Sequence, residues 1–285
     1  MRLKLHTPDN AAEIMAVRWN LTLQSLVAET YRARIFKVDS PHGPAALKVY
    51  KKVGFGGEGA GIQFLRQLTP GIGAQIYRSN NMRTAVLIEW LDGPTLATLL
   101  ADGEEARATA LLGQVGRSVT MARFRLPMIY RRVLPGLKRD FERRAKAPID
   151  GVPHPDLPRV QALLAHLSRT STGESVLHGD LGFENVILTP DGPRLLDPKG
   201  LRAEPAYDCA KALFLPYDQP SEADFIKRIE ARKDILSDAV SIPSERIVQW
   251  AAITLAHKVI HGAKKYPKNT ALRPYMRTLL DMSGW

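Results

Sequence analysis

The chain of 285 residues holds a single cysteine, Cys209, so no disulfide can form within it and no second thiol completes a metal-site spacing. A lone thiol of this kind reads as a small buried side chain. Long apolar runs are also missing: none approaches the roughly 20 residues that cross a bilayer, and Met1 to Pro8 lacks the apolar core of a secretory signal. The chain as given therefore reads as cytoplasmic, with no membrane span. Acidic residues are few for its size, 29 against 40 lysines and arginines, which leaves a net charge of +11. That field favours anions, whether ATP, an anionic substrate, nucleic acid or a lipid surface. A nucleic-acid partner finds no further support, because zinc-finger spacing, an aromatic and basic sheet motif and a long basic tail are all absent. What remains is a hydrophobic content of 45% over a length sufficient for a sizeable core and two lobes.

The most informative stretch runs from Val176 to Gly200, V-L-H-G-D-L-G-F-E-N-V-I-L-T-P-D-G-P-R-L-L-D-P-K-G. Two short apolar runs, Asn185 to Leu188 and Arg194 to Leu196, flank the turn residues Thr189 to Pro193, a pattern that predicts a β-hairpin. His178, Asp180 and Asn185 come at or before its first strand and Asp197 closes its second, so the four can meet at one rim. Oxygen-bearing side chains gathered in this way suggest a metal. Phosphoryl transfer from a nucleotide needs such a set: a carboxylate to orient the attacking hydroxyl, and hard oxygen ligands for the magnesium that bridges the phosphates.

The order His-x-Asp-x-x-x-x-Asn, then a hairpin, then Asp has the spacing of the protein-kinase catalytic loop and its metal-binding aspartate. Gly179 stands in second place, and no Phe-Gly follows Asp197. In the form H-G-D-L-x-x-x-N followed by L-L-D-P-K-G, the stretch resembles the aminoglycoside phosphotransferase family, especially its streptomycin and hydroxyurea kinase branch. The resemblance implies an α+β, two-lobed protein-kinase-like fold. A small antiparallel-sheet lobe over residues 1–91 would bind the nucleotide, and a mainly helical lobe over 92–285 would carry catalysis and the substrate. It implies ATP and Mg2+, and a small-molecule acceptor with a hydroxyl group, aminoglycoside-like, a sugar or similar. Asp180 would then orient the acceptor hydroxyl or take its proton, Asn185 and Asp197 would hold magnesium, and His178 would brace the loop. Asp208, in a D-x-A element, would support the catalytic loop through hydrogen bonds.

The remaining chain can be tested against that expectation. Thr7 and Pro8 predict the start of a first helix, followed by strands over Leu21 to Val27, Arg34 to Val38 and Ala45 to Tyr50. Lys48 sits among apolar neighbours on the third strand, as the ATP-orienting lysine of a kinase does. Because its side chain points away from the face of Leu47 and Val49, a solvent-facing lysine is the competing reading. Between Lys48 and Glu89 the only acidic residue is Glu58, so it is the one available carboxylate partner, although Gly59 and Gly61 weaken the helix that should follow it. The turn that should cover the nucleotide, Glu29 to Ala33, contains no glycine, which makes close approach of backbone amides to phosphate harder. Thr30, Arg32 or Arg34 would have to contribute side-chain contacts. A strand over Ala85 to Glu89, with a partner around Ala74 to Arg78, leads into W-L-D-G-P-T-L. That segment resembles an interlobe hinge, where backbone near Glu89 to Leu91 would bond the adenine.

Helices are predicted over Thr95 to Leu100, Glu104 to Phe124, Arg159 to Ser168, Glu222 to Ser237 and Glu245 to His261. Leu111, Leu112, Val115, Val119 and Met121 read as core. Arginines and lysines crowd the stretch from Arg123 to Lys146, which reads first as a solvated face and second as a surface for an anionic substrate. It does not suit a polycation, which would require carboxylates. His257 and His261 share one helix face, a spacing that can bind metal, but no H-E-x-x-H context surrounds them, so packing or exposure is the plainer reading. Three alternatives to a small-molecule kinase stay open. One is a protein kinase, disfavoured because no A-P-E element follows Asp197; a second is a catalytically silent nucleotide-binding regulatory module, favoured only by the glycine-free turn; the third is a nucleic-acid-binding protein using the basic stretch, whose affinity should fall steeply with salt.

Overall fold

In a computed structural model that describes residues 8–52, 55, 58–81, 84–125, 129–148, 154–262 and 266–285, the chain opens with helix α1, Pro8–Trp19. Thr7, the expected cap, lies outside the described residues. Strands β1 (Thr22–Glu29), β2 (Ala33–Ser40) and β3 (Gly43–Tyr50) follow, then α2 (Gly59–Gln67), β4 (Ile76–Asn80) and β5 (Ala85–Glu89). All pairings in this sheet are antiparallel, in the order β1-β2-β3-β5-β4. Alternation along β3 sorts its side chains between two faces. Ala45, Leu47 and Val49 pack with Ala11, Met15 and Trp19 of α1, whereas Tyr50, two residues from Lys48 on the other face, clusters with Ala33, Ile62 and Val86. The face opposite Leu47 and Val49 is therefore covered as well, and Lys48 is buried rather than solvated.

The strand expected over Ala74 to Arg78 begins two residues later. Its first residues are used by a backbone bridge in which Leu195 donates to the Ile72 carbonyl at 2.9 Å and accepts from the Ala74 N–H at 2.9 Å.

Beyond β5 the chain is mainly helical: α3 (Leu96–Ala101), α4 (Glu105–Met121), α5 (Val133–Lys146), α6 (Leu157–Arg169), α7 (Ala206–Phe214), α8 (Glu222–Val240), α9 (Ser244–Ala256) and α10 (Arg273–Met282). Thr95 caps α3 by accepting the Thr98 N–H at 3.2 Å. Three short pieces, β6 (Arg131–Arg132), β7 (Ser175–Leu177) and β10 (Leu201–Ala203), form a small sheet with β10 in the centre. The predicted hairpin forms as β8 (Val186–Thr189) and β9 (Gly192–Leu195), after a 3-10 turn over Phe183–Asn185. One large core, holding Leu112, Leu163, Leu181, Trp250 and Leu279, unites the helices with the hairpin. Met121, expected in that core, is 70% exposed: it is the last residue of α4, and the extended backbone at Ala122 carries the chain away from the helix axis. After α9 the helix passes into a π-turn, His257–His261. No helix among the described residues is long and apolar enough to cross a membrane.

The glycines that weaken α2 as a helix have separate explanations. A Cβ on Gly61 would collide with the Pro198 carbonyl oxygen, so only glycine lets α2 lie against the segment after Asp197. Gly59 would meet nothing closer than the Phe55 ring at 3.7 Å. Gly61→Ala should therefore destabilise the protein by about 1–3 kcal/mol through overpacking. Gly59→Ala should be neutral or stabilising by up to about 1 kcal/mol. Denaturant midpoints of the two variants check this contrast.

Candidate functional site

The site forms where β3, α2 and the hairpin of β8 and β9 converge. Lys48 Nζ lies 2.8 Å from Glu58 Oε2 and 2.7 Å from Asp197 Oδ1. Glu58 stands at the N-cap position of α2 but leaves the helix amides uncapped and turns its carboxylate to Lys48, so the acid singled out by elimination does reach the lysine. Burial alone would lower the pKa of Lys48, but Asp197 and Glu58 outweigh burial and hold it raised. Tyr50 is pushed up by burial and then by Glu58, and it remains a neutral phenol beside the pair. Lys48, Tyr50, Glu58 and Asp197 line one side of a partly open cavity of about 40 Å³, with Ile62, Leu65, Ile76 and Ile88 on its apolar walls.

Asp197 has a left-handed backbone, φ 48°, uncommon for a residue with a side chain and typical of strained functional positions. Its neighbours fix that conformation: Lys199 N–H donates to the His178 carbonyl at 2.8 Å, and Gly200 N–H donates to it at 3.1 Å. Leu196 N–H donates to the Asn185 carbonyl at 2.8 Å, which draws Asp197 and Asn185 together across the hairpin. Asn185 Nδ2 donates to the Asp180 carbonyl at 2.8 Å, and its Oδ1 accepts no hydrogen bond among the described residues. Asn185 Oδ1 and the second oxygen of Asp197 are hard donors of the kind magnesium takes, so the residues present fit that ion.

His178 is fully buried and has a defined tautomer. Its Nε2 meets the Leu196 carbonyl at 2.7 Å and must carry the proton, while Nδ1 accepts the Asp180 N–H at 3.3 Å. Burial lowers its pKa to about 4, so it is neutral at physiological pH. Asp208 supports the same loop from α7: Oδ2 accepts the His178 N–H at 2.8 Å and Oδ1 the Gly179 N–H at 2.7 Å. Burial raises the Asp208 carboxyl to about 7, against the two N–H bonds that favour its charged form. Asp180 itself meets two ammonium groups. Lys199 Nζ lies 2.9 Å from Oδ2, and Lys211, from α7, contacts Oδ1. Burial would raise this carboxylate, but Lys211 and Lys199 hold it below the usual range. Neither lysine was singled out in the sequence, because Lys211 is 31 residues from Asp180 and reaches it only through the packing of α7.

Two expectations change. The Glu89 side chain forms a two-pronged pair with Arg194, at 2.6 Å on each oxygen, and also accepts the Gln75 N–H at 2.9 Å. The Glu89 N–H goes to the Gln75 carbonyl at 2.8 Å. Glu89 thus works as a clamp to the hairpin, whereas the Leu91 backbone makes no hydrogen bond to another described residue. In the turn of β1 and β2, Thr30 Oγ1 accepts the Arg32 N–H at 3.2 Å and the Ala33 N–H at 3.0 Å. The threonine uses two amides that a glycine-rich turn would leave for phosphate. Arg34 pairs with Glu29 at 3.1 Å, and Arg32 approaches Glu58 at 3.7 Å.

The basic stretch is largely solvated: Arg123, Arg125, Arg132, Lys138, Arg139, Arg143 and Lys146 are exposed, and Arg144 donates to the Ala147 and His261 carbonyls. His257 Nε2 pairs with Asp140 at 3.1 Å, and His261 stacks on His257, tying the π-turn to α5. A cavity of about 930 Å³ between α5 and α6 contains none of the residues around Asp180.

A family model described as aminoglycoside/hydroxyurea antibiotic resistance kinase matches residues 18–265. Among solved structures, the aminoglycoside phosphotransferase APH(4)-Ia, in a ternary complex with ADP and hygromycin B, is similar with a TM-score of 0.66 at 10% identity, over 95% of this chain and 97% of that one. A choline/ethanolamine kinase family protein from Mesorhizobium loti has a TM-score of 0.64 at 12% identity, over 96% and 98%. APH(2")-IIa in its streptomycin and ATP complex also scores 0.64, at 9% identity over 96% and 99%. At these identities the likeness is one of fold, and that fold is the two-lobed protein-kinase-like one. No curated protein sequence matches.

The buried neutral His178 has a consequence for stability. Its folded pKa of about 4 lies below the ordinary 6.5, so between those values the unfolded chain binds a proton that the folded chain refuses. Its contribution is complete above pH 6.5 and is lost on acidification toward pH 4. Unfolding free energies at pH 7 and 4.5 should fall by about 2–3 kcal/mol more for the wild type than for His178→Gln, which does not titrate.

Proposed function

The chain belongs to the aminoglycoside/hydroxyurea antibiotic resistance kinase family, and from that premise we propose that it transfers the γ-phosphoryl group of ATP to a hydroxyl of a small molecule. The observation that carries this reading is the meeting of Lys48, Glu58, Asp197, Asn185 and Asp180 at one rim, with types and spacing that suit phosphoryl transfer. Residues 1–91 act as the nucleotide lobe and 92–285 as the catalytic and acceptor lobe. Lys48 binds the phosphates, Glu58 holds Lys48 in position, and the open backbone at Leu91, next to the Glu89 clamp, bonds the adenine edge.

In the transfer, the bond between the γ-phosphorus and the bridging oxygen of ADP breaks, and a bond to the acceptor oxygen forms. The hydroxyl proton passes to Asp180 or through it to solvent. Because two lysines hold Asp180 below the usual carboxylate range, it is a weak base, and its main work is to accept the hydroxyl hydrogen bond and aim the oxygen. A loose transition state asks for no more, since little deprotonation is needed before the phosphoryl group departs. Magnesium, held by Asn185 and Asp197, supplies charge neutralisation on the phosphates when bound. The family description leaves the acceptor as a small hydroxyl-bearing molecule, aminoglycoside-like, a sugar or similar, and of these the two lysines on Asp180 favour the ones without a cluster of amines.

A second reading, a nucleotide-binding regulatory module without catalysis, draws on one observation, the turn in which Thr30 captures two amides. Against it stands the gathering of Lys48, Glu58, Asp180, Asn185 and Asp197 at one rim, which a silent module would not need. Incubation with labelled ATP and a panel of sugars, aminoglycosides, amino alcohols and hydroxy acids separates the two. Transfer is expected to at least one member, and ATP binding without transfer to any would support the module. Asp180→Asn should cut the rate of transfer by about 10³-fold or more while sparing ATP affinity. Lys48→Ala should weaken nucleotide use itself. An Asp180→Asn enzyme with wild-type turnover would remove Asp180 from the reaction.

A further inference from the structure

Around Asp180 the balance of charge is opposite to what a polycationic acceptor needs. Lys199 and Lys211 both sit on the Asp180 carboxylate, and Lys211 also lies 3.8 Å from Glu184. A third ammonium approaches from the π-turn His257–His261. Lys258 Nζ stands 3.9 Å over the ring of Tyr217, and that phenol feels the charges of Asp180 and Glu184. Lys258 in turn feels Lys211 and Lys199, which, after burial, lower its pKa. Two ammonium groups thus sit on Asp180, Lys211 reaching toward Glu184 as well, and Lys258 on the Tyr217 ring is a third close enough for its charge to be felt by them.

The backbone is built to keep Lys258 there. A π-turn offsets the side chains that follow from the register of α9, a device common at functional sites. The Lys258 carbonyl is held by Asn269 Nδ2 at 3.1 Å, and Asn269 is buried. The turn packs on α5 and on the 3-10 segment Pro267–Leu272, away from the nucleotide sheet. Lys258 is thereby positioned for the acceptor rather than for ATP.

Resting on the kinase reading, we propose that the acceptor is an alcohol that also bears a carboxylate or phosphate group, and that Lys258 and Lys211, with Lys199, bind this group beside Asp180. An anion there completes the unmatched positive charge, whereas an amine would meet like charge at each of the three positions. The arginines of α5 are not part of this site; Arg139 and Arg143 are exposed on the solvated face.

The test is a binding measurement that needs no catalysis. Titration calorimetry compares gluconate, glucose 6-phosphate, glucose and glucosamine, four hydroxyl-rich probes that differ in charge, with gluconate and glucose 6-phosphate separating carboxylate from phosphate. At least one anion should bind about tenfold or more tighter than glucose, with glucosamine no tighter than glucose. Lys258→Gln should weaken anion binding about tenfold, Lys258→Arg should restore most of it, and Arg139→Glu should leave it unchanged. Glucosamine binding tightest, no preference among the four, no binding of any, or a Lys258→Gln variant with wild-type anion affinity and melting temperature would each overturn the assignment. Labelled-ATP transfer, measured separately, can succeed when this fails, and the reverse, so the two readings fall independently.

Discussion

A buried lysine on a β-strand is an unfavourable object until something pairs it, and much of this molecule is arranged around that pairing. Lys48 takes one carboxylate from the cap of α2 and another from the end of β9, so one ammonium joins the sheet, a helix and the catalytic hairpin. Its side chain is only 7% exposed, and removal of one partner from a buried pair costs on the order of 3–5 kcal/mol. The figure is smaller for Asp197, whose side chain is 58% exposed and partly screened by water. The asymmetry suits the chemistry. Glu58 is the more buried support, and Asp197 is the more exposed one, as the proposed ion site would need.

The catalytic loop obeys the same logic with different groups. His178 and Asp208 are both buried, and desolvation disfavours the charged form of each: it leaves His178 neutral at physiological pH and raises the Asp208 carboxyl to about 7. They are satisfied by backbone N–H and C=O groups rather than by ions. Asp180 is the exception: it stays charged because Lys199 and Lys211 face it. Burial with backbone partners thus makes the scaffold of the loop, and burial with ammonium partners keeps the Asp180 carboxylate charged.

How much of this was legible in the sequence depended on distance along the chain. The hairpin, Asp180, Asn185 and Asp197 lie within one short stretch, so their spacing could be read directly, as could β3 with Lys48. Glu58 was found by elimination, since no other acid stood nearby. Lys211 and Lys258 were invisible, because their relation to Asp180 depends on how α7 and the π-turn pack. The fate of Glu89 was hidden for the same reason: nothing local shows that Arg194, 105 residues later, will take its carboxylate. The turn at Thr30 was readable as glycine-free, but not as a loop that binds its own amides. Met121 was misjudged because apolar periodicity does not announce where a helix stops.

The Glu89 and Arg194 clamp also has a mechanical side. Together with the backbone bridge from Leu195 to Ile72 and Ala74, it pins the β5 and β4 edge of the sheet to the hairpin. Nothing comparable among the described residues pins the β1 edge, which lies three strand spacings away in the order β1-β2-β3-β5-β4, about 14 Å at the usual separation. β3 is tied there too, through Lys48 and Asp197, so the sheet is fixed to the hairpin side from β3 to β4 and β1 is its least constrained margin.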